Sequence, residues 1–322
     1  MEDKKEIYQK YIDKHYIKAP EQCQCGNKKL ALSKNNRVKN LGYCFRCTRK
    51  NCKKIYSLFN NSFFEEFKSF QLKEILAVFR CFIDYKFNSI EAKNYLSNTM
   101  NIIISERIIK KIYKKIRKYI YLYYTLDYAS EIVGRENENK FYSTDESLFT
   151  HDLNGQQLWL IGFTDNISKD FHIVATKNRD AVTLETFIRR MIPVGNNIVT
   201  DGWPGYDWMD QANSGYRRFP HIHGQNDFGH GVESTSHIES IWGQLKDVIS
   251  SIYKSIPCIN FLYFVREAEW RIKKKNLSYE EKLDDFFEMY NTVMGIDEEF
   301  IYDSDFLNND DINNLFNEND DE

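Results

Sequence analysis

The sequence predicts an α/β protein whose mixed-sheet core follows a cysteine-rich segment and a helical segment. Three observations lead to this fold class. Five of the seven cysteines fall between residues 23 and 52, and no Pro or Gly interrupts residues 63–124. From residue 141 onward, apolar and β-branched runs of strand length alternate with helix-periodic runs. These changes in hydrophobic period mark the borders between structural regions.

Charge is unevenly distributed along the 322 residues, although the net charge is only −3. Residues 1–130 carry 27 Lys and Arg against 12 Asp and Glu, whereas residues 276–322 carry 1 against 16. The basic N-terminal region favours a polyanionic partner, most simply nucleic acid. The acidic C-terminal region is typical of disorder. No apolar run reaches the roughly 20 residues of a membrane span, and the N-terminus lacks the apolar core of a secretory signal.

The cysteine cluster has the spacing of a metal site. Cys23 and Cys25 precede Cys44, Cys47 and Cys52 by about twenty residues, which is typical of a zinc ribbon with one tetrahedral Zn²⁺. We favour Cys23, Cys25, Cys47 and Cys52 as ligands, with Cys44 as the alternate; buried free thiols are the other interpretation. The Zn²⁺ would be structural, because four thiolates leave no open position. Such cysteine usage indicates a reducing compartment, nuclear if the source is eukaryotic and otherwise cytoplasmic.

The segment without Pro or Gly predicts helices. Apolar residues recur at helical spacing in 72–83, 90–96 and 104–119. Short helices followed by a basic helix fit a helix-turn-helix whose last helix enters the DNA major groove. The alternative is a charged helix that is only a solvated surface. The basic residues that we expect to bind DNA are Lys110, Lys111, Lys114, Lys115, Arg117 and Lys118.

The elements predicted after residue 141 follow the order of a ribonuclease-H-like fold. Alternation and turn residues predict the strands, and 3.6-residue periodicity predicts the helices. In chain order they are strands at 141–148, 157–164 and 171–176, a helix at 183–192, a strand at 197–200, a helix at 206–213, a strand at 216–222 and a helix at 236–252.

Three acids on separate elements of this core can meet around a pair of divalent cations. Asp145 lies in the first strand, Asp201 ends the fourth strand and Glu239 lies on the last helix. Phosphoryl transfer needs such a group because metal ions clamp the attacking and leaving oxygens, and carboxylates select Mg²⁺ or Mn²⁺. An Asp at a strand end can also be a turn residue or a helix cap. Glu146 is expected on the opposite face of its strand, in a supporting or structural role.

Six short motifs of this core occur in a fixed order: Asp145-Glu-Ser-Leu-Phe149, Trp159-Leu-Ile-Gly162, Asn178-Arg-Asp-Ala-Val-Thr-Leu184, Thr200-Asp-Gly-Trp-Pro-Gly-Tyr206, Ile238-Glu-Ser-Ile-Trp-Gly-Gln-Leu-Lys246 and Glu267-Ala-Glu-Trp-Arg271. Together they resemble the DDE transposases of the Merlin superfamily and their bacterial insertion-sequence relatives of the ISXO-like type. The N-terminal ribbon and helices are also where that family has them, so the resemblance covers roughly residues 20–275.

The resemblance implies a cut-and-paste transposase that cleaves and joins DNA at terminal inverted repeats by two-metal phosphoryl transfer. It implies that Asp145, Asp201 and Glu239 bind two Mg²⁺ or Mn²⁺ ions, and Lys246 could meet DNA phosphate. The implied partners are double-stranded transposon ends, target DNA and further copies of the chain in a dimer or larger synaptic complex, with no membrane. Two alternatives stay open: a non-catalytic DNA-binding protein derived from such a transposase, or a nuclease of the same fold.

These inferences divide the chain into four expected regions. They are a zinc ribbon at 1–60, a helical DNA-binding region at 61–130, a ribonuclease-H-like catalytic domain at 131–275 and an acidic, largely disordered tail at 276–322.

Overall fold

The computed structural model describes residues 4–35, 37, 41–131, 139–151, 157–221, 232–252 and 261–294. The helices are α1 (Lys4–Asp13), α2 (Leu72–Ile83), α3 (Ser89–Met100), α4 (Glu106–Glu131), α5 (Ala181–Met191), α6 (Ser236–Ile252), α7 (Phe261–Lys273) and α8 (Tyr279–Val293). The strands are β1 (Leu30–Lys34), β2 (Tyr43–Cys47), β3 (Ile55–Tyr56), β4 (Phe141–His151), β5 (Gln157–Asp165), β6 (Phe171–Thr176), β7 (Asn197–Asp201) and β8 (Arg217–His221). Within these ranges no helix is both long and apolar enough to cross a lipid bilayer.

The described residues divide into two units. The first unit holds the chain up to Ile116 together with Asn276–Met294. It contains a small antiparallel sheet in the order β1-β2-β3, which carries two of the clustered cysteines on its middle strand. The second unit runs from Arg117 to Lys275 and contains the five-stranded sheet.

Aromatic side chains form the core of the first unit. Phe63, on a 3₁₀ turn before α2, contacts the rings of Phe79 at 5.0 Å and Phe286 at 5.6 Å between centroids. Tyr16 stacks on Phe287 at 4.0 Å. Edge-to-face and offset packing of this kind lets large rings fill a core with favourable quadrupole contacts.

Helix α8 lies where the sequence predicted a disordered tail. Ser278 begins the helix in a capping box with Glu281, and the apolar residues that follow at helical spacing are buried. The prediction of disorder from residue 276 is therefore wrong for residues 279–293. The high negative charge of the region obscured an amphipathic stripe that buries two phenylalanines, and burial of this stripe stabilises the helix. Residues 295–322, the remainder of the predicted tail, lie outside the described residues.

The second unit is built on a mixed sheet in the order β6-β5-β4-β7-β8. The first three strands of the chain pair antiparallel as a meander, and β7 and β8 add to β4 in parallel. The predicted mixed α/β core and its strands are thereby confirmed. One predicted element differs, because the helix expected at 206–213 is a 3₁₀ helix at Pro204–Asp210, where Pro204 starts the turn.

The sheet is covered on both faces, so its inner strand β5 is apolar on both sides. Along β5, Leu158 and Leu160 pack with α6 and α7, whereas Ile161 and Phe163 pack with α5 and the 3₁₀ helix. Side chains alternate between the two faces of a strand, and a strand covered on both faces therefore reads as an almost continuous apolar run.

Gly162 permits the close approach of α6 to the sheet. A Cβ atom at this position would overlap Ile238 Cδ1 and lie 2.9 Å from Trp242 Cζ2. Gly243 is the opposite case, because a Cβ there would meet nothing within 4 Å and the residue is an exposed part of α6.

We expect Gly162→Ala to lower the free energy of unfolding by about 1–3 kcal/mol, because overpacking forces α6 away from the sheet. The matched variant Gly243→Ala should raise it by about 0.5–1 kcal/mol, because alanine is the better helix former. Urea denaturation of the two variants and the wild type measures both changes. A Gly162→Ala protein as stable as the wild type would show that the contact is not tight.

Candidate active site

Parallel pairing between β4 and β7 sets Asp145 beside Asp201. The last paired residues are Ser143 and Val199, and each acid lies two residues further along its own strand. One carboxylate oxygen of Asp145, one of Asp201 and one of Glu146 all lie within 4.8 Å of one another. We call these three residues the acid group.

Glu146 belongs to the acid group although it follows Asp145 directly in the strand. Asp145 is opposite Gly162 and faces α6, whereas Glu146 is opposite Ile161 and faces the α5 side. Strand β7 ends at Asp201, and its described pairing with β4 stops at Ser143 and Val199. Side chains from both faces of β4 can therefore reach Asp201. The prediction of a supporting role did not anticipate that Glu146 meets both aspartates.

Two donors orient the aspartates. Trp242 Nε1 donates to Asp145 Oδ2 over 2.8 Å, and the backbone N–H of Trp203 donates to Asp201 Oδ1 over 2.9 Å. Each of these bonds uses one oxygen of its carboxylate. Both carboxylates are therefore held at one oxygen by donors that cannot themselves accept a proton.

Arg218, which sequence reasoning missed, fixes the segment after β7. Its Nε donates to Thr200 Oγ1 over 3.1 Å and its Nη2 to the Asp201 carbonyl oxygen over 3.3 Å. Its Nη1 pairs with Asp207 at 2.8 Å and with Asp210 at 3.0 Å. A planar guanidinium with several donors suits such a clamp. The signal in the sequence was an arginine on the strand beside β7, which local periodicity does not distinguish from a surface residue.

Glu239 lies on the first turn of α6, outside the acid group. Its side chain is exposed, and Thr235 Oγ1 donates to its Oε1 over 3.0 Å. Its charge nevertheless contributes to raising the pKa of Asp145, and Trp242, three residues later, contacts Asp145 directly. The structure therefore brings Asp145 and Asp201 together as predicted and leaves Glu239 near them but not among them.

Burial and repulsion between like charges raise the pKa values of Asp145 and Glu146 in the acid group. Burial raises the pKa of Asp145, and the Trp242 hydrogen bond opposes this rise while the charge of Asp201 adds to it. For Glu146, burial raises the pKa to about 7, opposed by the nearby Tyr206 hydroxyl and increased by the charge of Asp201. A half-buried group of acids holds a proton or binds a cation, and its hard oxygen donors suit a divalent ion.

A second group of possible metal ligands lies in the first unit. The sulfur atoms of Cys23, Cys25, Cys47 and Cys52 lie within 4.8 Å of one another. Cys23 Sγ is 3.6 Å from Cys52 Sγ, and Cys25 Sγ is 3.7 Å from Cys47 Sγ. Four sulfurs at about 2.3 Å from a tetrahedral zinc would be about 3.8 Å apart, so the spacing fits such an ion. Cys44, the alternate, is buried and is not part of this group.

Polar donors surround these sulfurs. Asn27 Nδ2 donates to Cys47 Sγ over 3.2 Å, and the Tyr56 hydroxyl donates to Cys23 Sγ over 3.3 Å. Hydrogen bonds from the Cys25 backbone N–H and from Tyr56 lower the pKa of the Cys23 thiol to about 6. Donors to sulfur stabilise the thiolate that a metal requires.

The predicted DNA-binding lysines and arginine of α4 do not form one free basic surface. Lys115 is largely buried and pairs with Glu66 at 2.5 Å, and Lys111 pairs with the same carboxylate at 3.1 Å. Arg117 pairs with the buried Glu267 at 2.6 Å. Carboxylates distant in sequence thus hold Lys115 and Arg117, and DNA contact by these two residues stays a prediction. The remaining predicted positions are Lys110, paired with Glu106, Lys114 and Lys246, both exposed, and the half-buried Lys118.

Glu146 should make the cation-free protein less stable as the pH rises. Its pKa is about 7 in the folded protein against an ordinary value of 4.5, so the folded state keeps a proton that the unfolded chain has lost. Between about pH 4.5 and pH 7 the free energy of unfolding therefore falls, by on the order of 2–3 kcal/mol from this group. We expect Glu146→Gln to remove this part of the slope, as measured by urea denaturation in EDTA from pH 5 to pH 8.

Glu185→Gln is the matched control, because Glu185 is a half-buried glutamate on α5 of the same unit, away from the acid group and paired with Arg189. This control should keep the wild-type slope. If Glu146→Gln also kept it, Glu146 would not be the group that retains the proton.

Comparison with solved structures gives several distant likenesses. A chain of the simian T-cell lymphotropic virus intasome, in complex with PP2A regulatory subunit B56 gamma, is 17% identical over 45% of this chain and 52% of that chain, with a TM-score of 0.33. The match thus spans about half of that chain's length. The HTLV-2 integrase catalytic core domain in complex with magnesium is 13% identical over 44% of this chain and 88% of its own, with a TM-score of 0.30. The BIV integrase catalytic core domain is 15% identical over 47% and 99%, with a TM-score of 0.31.

No curated protein matches the sequence. Residues 144–273 match the family model described as the ISXO2-like transposase domain. This range begins one residue before Asp145 and ends with α7, so it contains the whole acid group and the helix that carries Glu239. Residues 144–273 are therefore similar to an ISXO2-like transposase domain.

Proposed function

We propose that this protein is a cut-and-paste DNA transposase that cleaves and joins strands at terminal inverted repeats. The observation that carries this proposal is the acid group, whose three carboxylate oxygens lie within 4.8 Å of one another inside the transposase domain. Like charges at this distance have no structural benefit of their own. They are the ligand set expected where phosphoryl transfer needs divalent cations.

Asp145, Asp201 and Glu146 would hold Mg²⁺ or Mn²⁺ through the oxygens that their neighbours leave available. When bound, a pair of such ions activates the attacking oxygen and stabilises the leaving oxygen of the phosphodiester. Trp242 and the Trp203 backbone N–H each hold one aspartate oxygen. They would thus fix the other oxygen of each aspartate in place before a cation arrives, which reduces the reorganisation that the reaction requires.

Glu239 would complete the ligand set from α6. Its exposed side chain is held by Thr235 at the N-terminal turn, where the helix dipole favours a negative charge. Mutual repulsion keeps a fourth carboxylate away from an acid group that has no cation. A cation would reverse this balance, and rotation of the Glu239 side chain would then bring it to the acid group.

We propose that double-stranded DNA binds through exposed lysines and arginines of the basic N-terminal region and through Lys246. Lys114 and Lys246 are exposed, and residues 1–130 have the excess of basic residues that phosphate contact requires. Two transposon ends must be joined together in the reaction, so we further propose that the chain acts as a dimer or larger assembly.

We expect Asp201→Asn to lower Mg²⁺-dependent cleavage and strand transfer by more than about 100-fold, because loss of a direct ligand exceeds the effect of losing a supporting residue. DNA binding should remain, because asparagine still accepts the Trp203 N–H bond. The substrates are candidate inverted repeats from the DNA that flanks the gene, and cleavage and joining are measured separately on labelled strands.

Asp207→Asn is the matched control. Asp207 is an exposed acid six residues from Asp201, and Arg218 keeps its second partner Asp210 when Asp207 is changed. This variant should cleave and join like the wild type. Cleavage without joining by the wild type would favour a nuclease, binding without either would favour a DNA-binding protein, and full activity of Asp201→Asn would remove Asp201 from the mechanism.

We also propose that Cys23, Cys25, Cys47 and Cys52 hold one structural Zn²⁺. Their sulfur spacing supports this, together with the donors from Asn27 and Tyr56. Four thiolates would fill the tetrahedral positions, so the ion would stabilise the small sheet and would not take part in the reaction.

We expect Cys47→Ala to lose the zinc, whereas Cys44→Ala should retain one ion per chain. Metal analysis of the purified full chain measures the content, and thermal unfolding measures stability. Loss of the ion should abolish the cooperative unfolding of the ribbon, since structural zinc contributes about 10–16 kcal/mol. Cys44→Ala removes one buried sulfur and should cost only about 1 kcal/mol. Equal zinc content in both variants would contradict the ligand set.

A further inference from the structure

A guanidinium lies between two tryptophans on the α5 side of the sheet. The Arg179 side chain is 4.1 Å from the ring centroid of Trp159 and 4.3 Å from that of Trp203. The three residues come from β5, from the segment before α5 and from the segment after β7. Arginine stacks favourably on indole rings, which supply negative charge from their faces. We call Trp159, Arg179 and Trp203 the stacked platform.

Trp203 is held firmly and yet remains exposed. Its backbone N–H donates to Asp201 Oδ1, and a Cβ atom at Gly205 would lie 2.6 Å from its Nε1 and 2.7 Å from its Cδ1. The absence of a side chain at Gly205 therefore lets the indole lie against the backbone. Even so, 38% of Trp203 is accessible to solvent, which leaves unfavourable apolar surface in water.

Trp208, in the same segment as Trp203, is a tryptophan whose position is explained by core packing. It lies on the 3₁₀ helix, contacts the ring of Tyr216 at 5.9 Å and packs against the apolar cluster under α5. Arg189 covers it at 5.0 Å. Trp203 also has an arginine on it but is not part of that cluster. Core packing therefore accounts for Trp208 and does not account for Trp203.

The stacked platform adjoins the acid group. Trp203 follows Asp201 by two residues and is bonded to its carboxylate, and Arg179 is close enough for its charge to act on Glu146. Trp159 is two residues before Ile161, which pairs with Glu146 in the sheet. A strand whose phosphodiester lies at the acid group would therefore bring the neighbouring nucleotide to Trp203.

We propose that the stacked platform binds an unpaired nucleobase of the DNA strand, next to the phosphodiester at the acid group. This proposal rests on the proposed function. Sites for single-stranded nucleic acid combine positive charge with an exposed aromatic face, because every base offers a flat ring to stack. A phosphate contact alone would use an exposed lysine or arginine and would not require exposed indole. The sandwich leaves the edge of the guanidinium to donate to the same nucleotide.

The test compares DNA duplexes that end in a three-nucleotide single-stranded overhang with the same duplexes carrying abasic overhangs. The full-length wild type should bind the overhang with bases about 5- to 150-fold more tightly, which is the range for one stacked base. Trp203→Ala should bind both DNAs equally, and Trp203→Phe should recover most of the preference. A 2-aminopurine in the overhang should be quenched by the wild type and not by Trp203→Ala.

Trp208→Phe is the matched control and should keep the wild-type preference, and thermal unfolding of each variant reports whether it is folded. A Trp203→Ala protein that keeps the preference, or a wild type that has none, would overturn the proposal. If the wild type still cleaves or joins DNA in that case, the transposase function survives and the platform does not bind a base. A wild type that neither binds nor cleaves DNA would overturn both, and a protein ligand for Trp203 would then be the better hypothesis.

Discussion

The parallel pairing of β4 with β7 is the constraint on which the site depends, because it forces like charges together. Carboxylates about 4.8 Å apart repel by about 3 kcal/mol per pair at an effective dielectric constant near 20. This exceeds the usual net contribution of a hydrogen bond, about 1 kcal/mol, so the Trp242 and Trp203 donors do not balance three charges. The fold therefore holds the three carboxylates in an arrangement whose mutual repulsion a bound proton or cation relieves. A turn aspartate in water would carry no such cost.

The two faces of the sheet contribute differently to this site. The α6 face supplies Asp145 with its Trp242 donor and, one turn earlier, the exposed Glu239. The α5 face supplies Glu146 and the stacked platform. Asp201 lies at the end of β7, where both faces reach it. Asp145 and Glu146 therefore approach Asp201 from opposite faces of the sheet.

Sequence patterns predicted what depends on local period and spacing. Alternation and strand length placed Asp145 on the first strand and Asp201 at the end of the fourth, which the structure pairs. Cysteine spacing favoured the four sulfurs that converge, with Cys44 as the alternate. The alternation of faces holds for Glu146, but it did not predict that Glu146 meets both aspartates, because the pairing of β7 with β4 stops before Asp201.

Contacts between distant residues were beyond local patterns. Lys115 pairs with Glu66 across 49 residues and Arg117 pairs with Glu267 across 150 residues, so two members of the basic stripe are held in ion pairs that local patterns do not predict. Helix α8 was not predicted from the sequence for the same reason. Its rings are stabilised by Phe63 and Phe79, more than 200 residues earlier in the chain, and the acidic composition around them carries no sign of those partners.

Gly162 links the packing of the fold to the chemistry of the site. It lies opposite Asp145 in the sheet, and its missing side chain is what allows Trp242 to reach that carboxylate. Because Trp242 and Glu239 share one face of α6, the depth at which the helix packs on Gly162 also sets the position of Glu239. Gly162, which has no side chain and no reactive group, thereby determines the relative positions of Asp145 and Glu239. The same contact belongs to the apolar cluster under α6, so the stability of this layer and the geometry of the acids depend on one packing distance.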